Sequence, residues 1–89
     1  MLFSEEQLNE IEEMAALFFD PESIAHNIEC DAEEFTELIQ NKIGEAFKAY
    51  CSGRLRSEIE LRTAIRNAAM NGSTPAQTLF VNYYKDSIL

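Results

Sequence analysis

Residues that turn a polypeptide chain are scarce in this sequence, and this scarcity limits the fold more than any other feature. The 89 residues include only three Gly and two Pro. A fold built from β-strands needs a turn roughly every ten residues, and such turns depend on Gly and Pro. Apolar side chains recur here every three or four positions, and no alternating strand pattern is found. The sequence therefore predicts an all-α protein of about five helices, forming a single domain over residues 1–89.

Capping residues mark the starts of the first three helices. Ser4 is followed three residues later by Gln7, which is the pattern of a capping box. Asp20 caps a second, short helix that begins at Pro21, and Asp31 caps a third. The sequence thus divides its first 41 residues into three short helices.

A longer helical region follows, from about residue 42 to residue 70. Gly44 and Gly53 are weak helix formers, so we expect a break or bend at each. Gly72 suits the left-handed position past a helix end, and Pro75 begins the last helix. That helix is apolar on more than one face, which indicates either deep burial or contact with another chain.

Charge is distributed unevenly along the chain, whose formal net charge is −9. Residues 1–41 contain twelve Asp and Glu and no Lys or Arg, whereas the chain from Lys42 onward has seven Lys and Arg against four acids. Such an asymmetry suggests that the two halves face different partners, or each other.

The location of the protein is inferred from features that the sequence lacks. It has no run of about 18 apolar residues and no basic, apolar leader at its start, so neither a membrane partner nor a signal peptide is expected. Cys30 and Cys51 are too few for a disulfide framework. We therefore expect a cytoplasmic protein with both thiols reduced.

The segment from Asp20 to Gln40 has the spacing of a helix-turn-helix and resembles that motif of prokaryotic DNA-binding proteins. A small residue in its first helix allows close approach of the second helix, and larger apolar residues anchor both. The matching positions are Ile24, Ala25, Ile28, Cys30, Phe35 and Leu38. Glu29 occupies the turn position where the motif usually has Gly, and the left-handed conformation costs such a residue about 1 kcal/mol.

The resemblance extends to small phage-derived proteins of the terminase small-subunit type, over roughly residues 20–85. In that group a long helix leads to a Gly-containing turn and then to a helix that begins with an A-x-x-x-(F/L) pattern. Gly72, Ala76 and Phe80 occupy those places. The resemblance implies DNA recognition in genome packaging and assembly into rings, with duplex DNA and further copies of the chain as partners.

The second helix of such a motif normally lies in the major groove, where its outward residues read bases. Thr36 and Gln40 can make base contacts. The cations expected to contact phosphate follow this helix: Lys42, Lys48, Arg54 and Arg56. The same helix also carries four acids that repel phosphate: Asp31, Glu33, Glu34 and Glu37.

Three uses of the motif therefore stay open. One is DNA binding by the second helix, and another is a structural role of the motif in a helical assembly without direct DNA binding. The third is an acidic interaction module that docks on a basic protein partner.

Residues suited to catalysis or metal binding are isolated from one another. His26 is the only His, and a metal site requires several ligands. Cys51 with His26 lacks a third group that would orient the pair. The aromatic residues Phe80, Tyr83 and Tyr84 have one cation nearby, so core or subunit contact is expected rather than base stacking. We expect no enzyme activity, cofactor or metal, and a protein that acts by binding.

Overall fold

Five α-helices and no strand make up residues 1–88, the part of the chain that this computed structural model describes. The helices are α1 (Glu5–Ala16), α2 (Pro21–Asn27), α3 (Ala32–Gln40), α4 (Gly44–Met70) and α5 (Thr74–Ser87). The predicted fold class is confirmed. Over the same residues, no helix combines the length and the apolar composition needed to cross a membrane.

The helix starts predicted from the sequence carry their caps. The Ser4 hydroxyl accepts a hydrogen bond from the Gln7 N–H at 3.1 Å, and the Gln7 side chain accepts one from the Ser4 N–H at 2.9 Å. The carboxylates of Asp20 and Asp31 each accept from a backbone N–H three residues later, at 2.8 and 2.9 Å. Ser73 caps α5 in the same way. Each cap satisfies a backbone donor that has no partner within its helix.

The contacts of the chain define two compact units, and α4 passes through the boundary between them. The first unit is Met1–Ser57, and the second begins at Glu58. The first unit therefore contains α1 to α3 with the first half of α4, and the second contains the rest of α4 with α5.

The hydrophobic core of the first unit collects side chains from all four of its helices. Its buried members are Ile11, Ala15, Ile24, Ala25, Ile28, Phe35 and Ala46. Phe3, which precedes α1, packs edge-on against Phe35 with ring centroids 6.0 Å apart. The start of the chain is therefore held on the core together with α3.

Gly53 does not interrupt α4, which is continuous from Gly44 to Met70. Gly53 is buried against α1, where a β-carbon would overlap the carbonyl oxygen of Glu12. Of the break or bend expected at Gly53, the break does not occur, and the missing side chain serves close helix packing instead. Gly44 has φ 80° and stands at the first position of α4, so the chain does break there as expected.

The second unit is a helical hairpin whose turn contains Gly72 with φ 97°. Within its described part, Ala76 is the only buried side chain. The guanidinium of Arg62 lies over the ring of Tyr83, 4.1 Å from the centroid, and so links α4 to α5. This unit has little interior of its own.

Candidate functional site

The predicted helix-turn-helix folds as two short helices, α2 and α3, which pack on each other while α1 packs on α2. Four of the predicted inward residues are buried: Ile24, Ala25, Ile28 and Phe35. Cys30 is half-buried and packs against the same core. Leu38 is half-buried but lies in a groove outside the core, and Ile39 contacts the core in its place.

The turn between α2 and α3 takes the left-handed conformation although Glu replaces Gly there. Glu29 has φ 58°. Its N–H donates to the His26 carbonyl at 3.3 Å, and the Cys30 N–H donates to the Ala25 carbonyl at 3.0 Å. This pair of bonds is a Schellman motif, which satisfies the last carbonyls of α2. The turn therefore forms in spite of the side chain, at a cost of about 1 kcal/mol.

The outer surface of α3 carries both residues that the sequence predicted for base contacts. Gln40 is exposed, whereas Thr36 is half-buried in a groove of about 550 Å³ between α2 and α3. The other residues that line this α2–α3 groove are Glu22, Ala32, Glu33 and Glu37. Thr36 thus lies among three carboxylates, which repel a phosphate backbone.

The four predicted phosphate-binding cations divide into two pairs. Arg56 forms ion pairs with Glu12 at 3.1 Å and Glu13 at 3.2 Å, both on α1. Lys42 and Lys48 are exposed, and within residues 1–88 no carboxylate pairs with them. These two lysines are the members of the predicted set that are free to meet an anion, together with Gln40.

Arg54 is held against the turn between α1 and α2. Its guanidinium lies over the rings of Phe18 and Tyr50, at 5.4 and 5.0 Å, and donates to the Phe19 carbonyl at 3.3 Å. Its Nε is buried and has no acceptor among the described residues. The guanidinium of Arg54 therefore stabilises the fold of the first unit through these contacts.

The charge asymmetry seen in the sequence follows the division into two units. The first unit contains thirteen Asp and Glu against four Lys and Arg, and the second contains three of each. The whole formal charge of −9 thus belongs to the first unit, and the second unit is neutral.

Large apolar side chains remain exposed on both helices of the second unit. Those with exposures between 37% and 71% are Ile59, Leu61, Met70, Leu79, Phe80, Val81, Tyr84 and Ile88. Of the aromatic cluster singled out in the sequence, only Tyr83 is partly covered, beneath Arg62. These exposed side chains will together be called the hairpin face, although they lie on more than one side of α5, because Leu79, Phe80 and Val81 are consecutive in that helix.

A second groove, missed in the sequence analysis, lies where the start of the chain meets the turn between α3 and α4. It has a volume of about 350 Å³. Its lining residues are Met1, Leu2, Phe3, Leu38, Ile43, Gly44, Glu45 and Ala46. The sequence contains apolar residues of this N-terminal groove before Ser4 and at Ile43. These lie outside the helices, so helical periodicity could not predict that they share a surface.

Groups suited to catalysis or metal binding do not come together in the described chain. Over residues 1–88, no three His, Cys, Asp or Glu side chains gather where they could hold a metal ion. His26 and Cys51 are both exposed. Burial, followed by the neighbouring charges of Asp31 and Glu34, raises the pKa of the Cys30 thiol, which makes it a weaker nucleophile at neutral pH.

Comparisons with known proteins give no indication of the function of this chain. No known protein family matches the sequence, and neither a curated protein nor a solved structure shows significant similarity to it.

Proposed function

We propose that this chain is a helix-turn-helix assembly protein of the phage terminase small-subunit type, which binds duplex DNA in the cytoplasm as a homo-oligomer and performs no catalysis. The observation that carries the proposal is the α2–α3 pair, which is anchored by buried apolar residues and presents the outer surface of α3 to solvent. In such motifs this surface meets the major groove.

Self-association is supported by the composition of the second unit. A helical hairpin with one buried side chain has too small an interior to be stable alone, and chains this short usually gain stability by oligomerisation. Its neutral charge means that two copies of the second unit do not repel each other, unlike two copies of the first unit. The hairpin face is therefore the surface through which copies associate.

Assembly would also compensate for the low DNA affinity expected of a single chain. One first unit offers Lys42 and Lys48 as unpaired cations against thirteen acids. Joining several copies multiplies the acids along with these cations, so the gain comes from the higher effective concentration of each site for its phosphate. DNA affinity should therefore depend on the oligomer.

The first test compares two neighbouring substitutions on α5. Val81→Asp places a charge on the hairpin face, whereas Asn82→Asp places the same charge at an exposed polar position. We expect Val81→Asp to shift the sedimentation coefficient to that of a monomer and to abolish DNA binding, and Asn82→Asp to change neither. A wild-type protein that sediments as a monomer would contradict the proposal.

The second test is the salt dependence of binding to duplex DNA, measured by fluorescence anisotropy with wild-type oligomer. Lys42→Ala and Lys48→Ala should each lower the slope of log affinity against log salt by about one for every copy that contacts DNA. Lys85→Ala, on α5, serves as the control and should leave the slope unchanged. Absence of any binding at low salt would remove the DNA proposal.

The alternative function, an acidic module that binds a basic protein partner, is favoured by the α2–α3 groove with its three carboxylates. The double substitution Glu33→Gln with Glu37→Gln separates the two functions by the sign of its effect. It should strengthen DNA binding because repulsion of phosphate falls. It should weaken binding of a basic protein because attraction falls with the same charges.

A further inference from the structure

We infer that the N-terminal groove is a docking site for an amphipathic, basic segment of a partner protein. The inference rests on the alternative function just described, but it places the partner on a surface that adjoins the α2–α3 groove and shares only Glu37 with it. Its apolar anchors Leu2 and Ile43 are not among the residues proposed to contact DNA.

The N-terminal groove continues into a second depression along α3. This depression has a volume of about 470 Å³ and is lined by Met1, Glu34, Glu37, Leu38, Asn41 and Ile43. Met1, Leu38 and Ile43 line both cavities, so the two form one surface that extends from the start of the chain across the last turns of α3.

The apolar part of this surface is exposed although its surroundings are fixed. Leu2 is 98% exposed, Met1 54% and Ile43 53%. The next residues after Leu2 are held in place, because Phe3 packs against Phe35 and Ser4 forms the capping box of α1. A partner that covers these side chains would remove apolar area from water without first ordering the chain on which they lie.

The rim of the surface selects the charge of its occupant. Glu34, Glu37 and Glu45 line it, and no ion pair with a Lys or Arg is found for any of them within residues 1–88. A second copy of the first unit would bring a charge of −9 to this rim, and a nucleic acid would bring phosphates. Both are repelled, whereas a segment with Lys or Arg beside apolar anchors meets the carboxylates and fills the groove.

The experiment uses the full chain and three labelled synthetic peptides in a fluorescence-polarisation titration. The first peptide carries Leu at helical spacing with Lys between, the second has the same composition in an order that destroys the apolar face, and the third has Glu in place of Lys. We expect the first peptide to bind about tenfold more tightly than either of the others. Equal binding of the first and second peptides would overturn the inference, because charge alone would then explain it.

Four single variants locate the peptide on the protein. Leu2→Ser and Ile43→Ser should each weaken binding of the first peptide about fivefold, and Glu45→Gln should weaken it about twofold. Leu17→Ser is the matched control, since Leu17 is 71% exposed at the end of α1 and lies outside the groove. Leu2→Ser is decisive even if Ile43→Ser perturbs the fold, because a side chain that is 98% exposed contributes little to folding.

The outcomes separate this inference from the two proposed functions. Peptide binding that falls with Glu33→Gln but not with Leu2→Ser would keep the acidic-module function and overturn the N-terminal groove as its site. Peptide binding that falls with Leu2→Ser while DNA anisotropy is unchanged is the result expected here.

Discussion

Gly53 of α4 lies against Ala15 of α1 with no room for a side chain between the two helices. A β-carbon at position 53 would come within 3.0 Å of the Ala15 β-carbon and would overlap the carbonyl oxygen of Glu12. The Ser57 hydroxyl, one turn further along α4, donates to the Ala16 carbonyl. The backbones of α1 and α4 are thus in direct contact.

Gly53→Ala should therefore destabilise the protein by about 2 kcal/mol, because the new methyl group overlaps the Glu12 carbonyl oxygen, a backbone atom that cannot move aside. This loss is expected although Ala is intrinsically about 1 kcal/mol better than Gly within a helix. Urea denaturation followed by circular dichroism measures the change. Ser52→Ala, at the exposed neighbouring position, is the control and should be neutral or slightly stabilising. A Gly53→Ala protein more stable than wild type would show that the contact between α1 and α4 can accommodate a methyl group.

Glu29→Gly should raise the free energy of unfolding by about 0.5–1 kcal/mol, because Gly adopts φ 58° without the steric cost that Glu bears. The same substitution within α3, Glu37→Gly, should lower stability by about 1 kcal/mol because Gly is a poor helix former. Opposite signs from two identical replacements identify backbone conformation as the cause. If both variants lose stability, the Glu29 side chain makes a contribution that outweighs its strain.

Helix starts could be predicted to within a residue because caps are local. Ser4, Asp20 and Asp31 each bond to a backbone N–H three positions away, so the sequence contains both partners. Gly53 could not be interpreted in the same way. A glycine that loosens a helix and one that admits a neighbouring helix look identical in sequence, and only the position of α1 distinguishes them.

The sequence predicted which residues of the candidate site face outward, but not which of its charged side chains are paired within the fold. Helical periodicity placed Thr36 and Gln40 on the outer side of α3, where Gln40 is exposed and Thr36 is half-buried. The sequence shows that Arg54 and Arg56 are cationic but does not show which groups meet them. Their partners lie on α1 and at its end, more than thirty residues away in the chain.

Arg54→Lys should lower stability by about 1 kcal/mol while preserving the charge. The loss comes from the planar guanidinium, which covers Phe18 and Tyr50 in a way that an ammonium group cannot. Arg66→Lys, on the exposed surface of α4, is the control and should be neutral. If Arg54→Lys keeps full stability but weakens DNA binding, the side chain belongs to the DNA interface instead.

Cys51 should react with a maleimide about tenfold faster than Cys30 in the folded protein. Cys51 is exposed, whereas Cys30 is half-buried and its pKa is raised by burial and by the nearby carboxylates. Single-thiol variants, Cys30→Ser and Cys51→Ser, assign the two rates, and unfolding in urea should make them similar. Equal rates in the folded protein would mean that the α2–α3 turn opens on the timescale of labelling.

Asp20 should make the free energy of unfolding depend on pH in the acid range. Hydrogen bonding by the Ser23 side chain, and then by the Ser23 N–H, lowers the pKa of the Asp20 carboxyl below its usual value of 3.8. Because the pKa is lower in the folded state, the ionised cap stabilises the fold above that usual value, and the contribution is lost as the pH falls through the folded pKa. Asp20→Asn keeps an acceptor for the cap but cannot ionise, so its deficit against wild type should be present at neutral pH and should shrink as the pH falls through the folded pKa of Asp20.

Two measurements test the role of Asp20 separately. Carbon NMR of the side-chain carboxyl gives its pKa directly, and Ser23→Ala should move that pKa upward because the hydrogen bond from the Ser23 side chain is removed. Urea denaturation of wild type and Asp20→Asn across the acid range gives the stability difference. The control is Glu60→Gln, which removes an exposed carboxylate that caps no helix. A difference between wild type and Asp20→Asn that stays constant across the acid range would mean that the carboxylate charge takes no part in capping α2.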